Sequence, residues 1–188
     1  MADEQGDVIQ VLTQDHREVE ELFGELEAML SAGGGDDERR QELVDRVTIE
    51  LVRHAVAEEV VVYPMVKEKV SAEEAERAKQ EHAEAEETMK RLERMSPDDD
   101  DFDQAIRTLM AEIREHVAEE EGQMFPHMRQ VFSEKELHDM AERVNAIKKM
   151  APTRPHPSVP NDPGARLAAG PVAGLFDRLR DLASGRGS

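Results

Sequence analysis

His54-Ala55-Val56-Ala57-Glu58-Glu59, followed by Tyr63-Pro64, returns as His116-Val117-Ala118-Glu119-Glu120-Glu121, followed by Phe125-Pro126. The two stretches superpose without a gap at a shift of 62 residues. Each is preceded by another histidine with a Glu four residues on, His16 with Glu20 and His82 with Glu86. A plan that recurs in this order predicts two helical hairpins of one design, at about 7–70 and 71–130.

Working outward, apolar residues recur at helical spacing in four long segments. Composition agrees: aromatics are 3 %, with no Trp and one Tyr, so strand-forming residues are scarce while helix formers abound. The first helix is expected over about 7–30, ending at Gly33-Gly34-Gly35, and the second over about 36–70. The third starts at Ser71, where Ser71 and Glu74 have capping-box spacing, and ends near Met95. After Ser96-Pro97, the four aspartates at 98–101 suit the N-terminus of a fourth helix that runs to about Gln130. A further capping-box pair, Ser133 and Glu136, starts a short fifth helix reaching about Met150. Short connections between long helices imply antiparallel neighbours. The expected fold is therefore all-α, an up-down-up-down four-helix bundle with a short fifth helix. Pro64 and Pro126 should kink or end their helices.

This bundle fills residues 1–150. Beyond it, Pro152, Pro155, Pro157, Pro160 and Pro163 make a Pro-rich, semi-rigid linker within 151–188, with room for a short amphipathic helix over 172–183.

The formal net charge is −19; the tail from 151 carries five Arg against three Asp, a surplus of two, so residues 1–150 hold −21. Such a body has no basic patch to neutralise phosphates, which argues against a nucleic-acid partner and favours cations. The absence of Cys excludes disulfides, thiolate metal sites and iron–sulfur ligation by this chain. The first residues are polar and acidic, unlike a signal peptide, and no run is long enough to span a bilayer, so the expected location is cytoplasmic.

Residues seven apart share a face of a bundle helix. Seven before the four histidines stand Ile9, Val47, Ala75 and Leu109; seven after stand Phe23, Val61, Met89 and Gln123. All but Gln123 are apolar, so His16, His54, His82 and His116 belong to the core-facing stripe. Buried imidazoles need partners, and a metal takes their lone pairs and nearby carboxylate charge together. A Glu four residues after a His lies about 40° round the helix and one turn along it, which makes Glu58 and Glu120 candidate bridging ligands. Imidazole and carboxylate ligation without thiolate suits Fe or Mn, and Zn less exclusively. Glu20 and Glu86 point toward the opposite axial end in antiparallel helices, so they are expected in supporting, proton-transfer or outward-facing positions, with Gln123 a further candidate for a supporting role. Tyr63 is expected to pack, and His127, His138 and His156 to be solvated.

This arrangement, His16, His54-x3-Glu58, His82 and His116-x3-Glu120 with the paired Glu and aromatic-Pro steps, resembles the hemerythrin-like, or HHE cation-binding, family over about 7–130. The tail, with Pro152-Thr153-Arg154-Pro155-His156-Pro157, looks like that of actinobacterial members. The resemblance implies two non-haem Fe ions, oxo- or hydroxo-bridged, held by His16, His54, Glu58, His82, His116 and Glu120. Oxygen-carrying hemerythrins have a further His where this chain has Glu86, and an Asp where it has Glu121. The set here is closer to hemerythrin-like proteins linked to peroxide removal, nitric oxide chemistry or iron–sulfur repair. The expected function is reaction of an open iron position with peroxide, O2 or NO, foremost a catalase-like disproportionation. The alternatives are binding or sensing of O2, NO or iron without turnover, repair of iron–sulfur centres, and a purely structural metal.

Overall fold

The computed structural model describes residues 6–32 and 36–151. The glycine turn at 33–35, the Pro-rich linker and the expected amphipathic helix lie outside the described residues. Seven α-helices follow one another among those described: α1 (Val8–Ser31), α2 (Asp37–Ala57), α3 (Tyr63–Lys69), α4 (Ala72–Leu92), α5 (Phe102–Glu119), α6 (Phe125–Val131) and α7 (Glu134–Met150). Two single π-helical turns, Glu58–Val62 and Glu120–Met124, join α2 to α3 and α5 to α6, so each pair forms one long rod. The four rods of the bundle are α1, α2–α3, α4 and α5–α6. The whole is all-α, as the periodicity implies.

The helix starts follow from local chemistry. The Asp7 side chain accepts from Gln10 N–H and the Gln10 side chain returns a bond to the Asp7 backbone, closing a capping box. Asp36 accepts from Glu38 and Arg39, Ser71 from Glu74, and Ser133 with Glu136 makes a second full capping box at the start of α7.

The π turns are the departure from sequence expectation, and proline explains them. Pro64 and Pro126 have no N–H to continue the α ladder. The residue before each prolongs it differently: Tyr63 N–H donates to Glu58 O and Phe125 N–H to Glu120 O, five residues back. One residue is thus absorbed in a wide turn, and everything after it is rotated by about 100° relative to an unbroken α-helix. Tyr63, half a turn from His54 on an ideal helix, swings inward and is fully buried.

Two apolar clusters fill the bundle. One gathers Leu22, Phe23, Leu26, Leu43, Phe102 and Ile106 at the end where α1 finishes. The other gathers Val8, Leu12, Val62, Phe125 and Met128 at the opposite end, where Leu137, Met140 and Val144 of α7 complete it. α7 lies over α1, α2 and the first π turn. The four core histidines sit between the two clusters.

Arg40 fastens the end remote from the histidines. It is buried, donates to Asp37 Oδ1 at 2.5 Å, Asp103 Oδ1 at 2.6 Å and Pro97 O at 2.6 Å, and stacks over Phe102 at 5.8 Å. Arg40→Met leaves these acceptors to solvent and to one another, so it should cost about 2 kcal/mol, the scale of hydrogen bonds to charged groups. Urea unfolding checks this, and an unchanged midpoint contradicts it.

Candidate metal centre

The six expected ligand residues meet in one layer. His16 and His54 face each other with Nε2 atoms 3.2 Å apart, and His82 and His116 do so at 3.1 Å. Between the two pairs stand the carboxylates, each delivered at the start of its π turn. Glu58 Oε2 is 3.0 Å from His54 Nε2 and 3.4 Å from His82 Nε2; Glu120 Oε2 is 3.5 Å from both His16 and His116 Nε2. Each carboxylate thereby touches both histidine pairs, as a bridge must. Two groups of donor atoms result, His16, His54, Glu58 and Glu120, and Glu58, His82 and His116, each within 4.8 Å mutually. Glu58 and Glu120 are buried to 0 % and 1 % exposure, yet Glu58 Oε1 and Glu120 Oε2 accept no hydrogen bond. Orphaned buried carboxylate oxygens beside converging imidazole nitrogens fit a cation.

The outward ring nitrogens are all engaged by acids. His16 Nδ1 meets Glu121 at 2.9 Å, His54 Nδ1 meets Asp15 at 3.2 Å, His82 Nδ1 meets Glu59 at 3.4 Å, and His116 Nδ1 meets Glu81 at 2.8 Å. A carboxylate on Nδ1–H fixes the tautomer that presents Nε2 to the centre and raises its basicity. Three of these acids face cations of their own: Lys148 of α7 reaches Asp15 Oδ1 at 2.5 Å, Arg17 reaches Glu121 Oε2 at 2.6 Å, and Arg77 Nε lies 3.9 Å from Glu81 Oε1.

Tyr63 closes the carboxylate side. Its hydroxyl donates to Glu120 Oε1 at 2.9 Å and lies 3.2 Å from Glu58 Oε2 and 3.1 Å from His82 Nε2. Its counterpart in the repeat, Phe125, stacks flat on His16 at 5.9 Å. Opposite Tyr63, a cavity of about 30 Å³ is lined by all four histidines, Asp15 and apolar side chains including Val19, Ala85, Met89 and Ile113.

The charges interlock. Burial opposes the His54 imidazolium, but Glu58 and Asp15 outweigh it and push its pKa up to about 10. Burial likewise opposes His82, which Glu58 and Glu59 raise to about 9. Burial alone would raise Glu58, yet His54 and His82 hold it well below the usual carboxylate range. Burial and the two neighbouring carboxylates push the Tyr63 phenol well above its usual value, so it remains a donor.

The other sequence candidates, Glu20, Glu86 and Gln123, fall outside this layer. Glu20 is exposed and bound by Arg114 at 2.6 Å; Gln123 is exposed; Glu86 lies beside Lys90 at 3.4 Å. None lines the cavity. Glu20 and Glu86 lie one turn toward the opposite end of the bundle from Glu58 and Glu120, because α1 and α4 run antiparallel to α2 and α5, and Gln123 is exposed on the second π turn. His127 is exposed and pairs with Glu74, and His138 is exposed, whereas His156 lies outside the described residues. Tyr63 does more than pack. The supporting acids were signalled by adjacency, since Asp15 and Glu81 precede, and Glu59 and Glu121 follow, a ligand candidate.

Comparison with known proteins agrees with this geometry. The sequence model of the hemerythrin HHE cation-binding domain matches residues 7–128. An uncharacterised hemerythrin-like protein of Schizosaccharomyces pombe is 34 % identical over 173 residues, covering 90 % of this chain and 82 % of that one. A DNA nickase from Nostoc is 28 % identical over 138 residues, 73 % of this chain but only 38 % of its own length. The crystal structure of an HHE cation-binding domain-containing protein from Mycobacterium kansasii superposes with a TM-score of 0.66 at 20 % identity, covering 95 % of this chain and 97 % of that one.

Two outcomes follow from the centre. His54→Ala and Glu120→Ala should each lower bound metal at least severalfold by elemental analysis, and His127→Ala should leave the final content intact. In the metal-free protein, raised histidine pKa values mean that the protonated folded form is favoured. That stabilisation is full below about pH 6.5 and is lost as pH rises through 9 to 10. The melting temperature of the metal-free protein should therefore fall between pH 7 and 10, and that of the metal-loaded protein should fall less, because metal replaces those protons. Parallel pH profiles would contradict this.

Proposed function

The chain belongs to the hemerythrin HHE cation-binding family, and from that premise we propose that it holds two iron ions and disproportionates peroxide. His16 and His54 would hold one ion and His82 and His116 the other, with Glu58 and Glu120 shared. Bound there, iron would supply Lewis acidity and an electron store to a small oxygen or nitrogen species.

The observation that carries this reading is the cavity against the histidine layer. At about 30 Å³ it has room for one or two small heavy atoms, and Asp15 and the imidazoles are its polar features in an otherwise apolar wall. Peroxide, O2 and NO fit; an organic substrate does not. The acidity of the bundle, at −21 over residues 1–150, supports such small molecules over nucleic acid as partners.

Peroxide is favoured among the three because its disproportionation to water and O2 needs a proton taken from one oxygen and given to another. Asp15 lines the cavity with Lys148 bonded to its far oxygen, a pair able to hold a proton beside the substrate. Tyr63 is on the other face, where its hydroxyl proton ties Glu120 to Glu58 and keeps both carboxylates in place. Val19, Ala85, Met89 and Ile113 keep bulk water from the cavity.

Iron-loaded protein should release one O2 for about every two peroxides consumed, read with an oxygen electrode. Ala85→Leu fills the cavity and should reduce that rate more than tenfold while iron content is retained; Glu86→Gln, away from the cavity, should change it less than twofold. A reversible optical change on exposure to O2 or NO, with no O2 release from peroxide, would replace this reading with binding or sensing.

A further inference from the structure

A second small pocket, about 10 Å³, opens on the α4 side of the bundle and is not used by the chemistry above. Its walls include Glu74, Arg77, Glu81 and Glu119, and its buried end is Glu120. Two carboxylate oxygens there, Glu74 Oε2 and Glu120 Oε2, are shielded from solvent and have no hydrogen-bond partner. The Glu120 side chain is only 1 % exposed. At the outer edge His127 Nδ1 lies 2.9 Å from Glu74 Oε1. Arg77 stands across the opening with Nε 2.5 Å from Glu119 Oε2 and 3.9 Å from Glu81 Oε1, and its side chain is 42 % exposed.

The internal repeat provides a control. At the offsets that relate the two hairpins, Glu74, Arg77 and Glu119 correspond to Val8, Val11 and Ala57. There the seam is apolar: Val8 and Ala57 are 0 % exposed, within the cluster completed by α7. One architecture thus gives a sealed apolar seam on one side and an acidic passage to a bridging carboxylate on the other. The Glu120 oxygen faces His16 and His116 of the metal layer at 3.5 Å, whereas packing alone does not call for the orphaned Glu74 oxygen, because an unpartnered buried acceptor is costly.

We propose that this pocket admits the metal: a ferrous ion is first taken up by Glu74, Glu119 and His127, and passes Arg77 to reach Glu120. This rests on the metal-centre reading and adds the route to it. The alternative way in, through the larger cavity, has the imidazoles and Asp15 as its polar groups and is otherwise apolar, so a cation meets fewer charged groups there to replace its water. In the acidic pocket, successive carboxylates replace the lost water. Arg77 serves as a latch: it neutralises the acids between passages, and its exposed side chain swings out without opening the core.

The test measures admission apart from occupancy. Ferrous ion is added without oxygen to the metal-free full chain, and retained iron is counted at intervals after a chelator quench. Glu74→Gln combined with Glu119→Gln should slow uptake about tenfold, the scale of electrostatic focusing of an ion, and reach the parental iron content. His127→Ala should slow it less, and Arg77→Gln should speed it. Glu38→Gln combined with Glu42→Gln removes the same charge about 18–24 Å along α2 from His54 and should leave the rate unchanged. Equal slowing by the remote pair, or a parental rate in the double variant, overturns the passage while leaving the metal centre standing. A parent chain that retains no iron overturns both. Helix content and melting temperature of each metal-free variant establish that a slow rate is not misfolding.

Discussion

Four imidazoles buried in one layer between two apolar clusters govern the rest of this structure. Two pairs of Nε2 atoms at 3.2 and 3.1 Å cannot all present lone pairs to one another, and Glu58 and Glu120 bring negative charge into the same space. A buried carboxylate without a counter-charge costs several kcal/mol. In the metal-free chain, protons on His54 and His82 perform this neutralisation, which is why both are raised. A metal ion does so with a higher charge in the same place. Protons and metal are therefore competitors for one set of atoms, and the layer is built so that one or the other must be present.

The outer acids turn that layer into a device that holds the helices together. Asp15 of α1 supports His54 of α2; Glu59, in the turn after α2, supports His82 of α4. Glu81 of α4 supports His116 of α5, and Glu121, in the turn after α5, supports His16 of α1. The sequence of contacts closes on itself, and each rod lends a carboxylate to the imidazole of the next. Two links lie within a hairpin and two join one hairpin to the other. Metal affinity and hairpin docking consequently share the same contacts, so loss of one acid disturbs both.

Much of this was legible because it is periodic. Heptad spacing identified the core-facing histidines without a structure, and the repeat paired Glu58 with Glu120. What periodicity could not convey is the π register, since the missing N–H of a proline says that the ladder fails but not how the backbone recovers. Tyr63 and Gln123 both depend on that recovery: one turns into the carboxylates, the other out to solvent. For Glu20 and Glu86 the spacing left two placements open, supporting or outward-facing. In so acidic a chain a Glu four residues after a His is common, and helix direction distinguishes Glu58 and Glu120 from them. The supporting acids were hidden in the same abundance, although their adjacency to a ligand candidate was visible.

Where the repeat is broken, the two histidine pairs become unlike. Tyr63 bonds the carboxylates and touches His82, whereas Phe125 offers only a flat apolar face to His16. α7 lies chiefly over the first hairpin and brings Lys148 to Asp15, whose carboxylate would otherwise pass its full charge to His54. Arg17 does the same at Glu121 behind His16. Both histidines of one pair are therefore backed by acids already bound to a full cation, which lessens the basicity those acids confer. A tandem repeat supplies two equivalent histidine pairs cheaply in sequence; a phenol and a fifth helix with its lysine then differentiate them. The proposed peroxide disproportionation would profit from such a difference, because one molecule must be oxidised while the other is reduced.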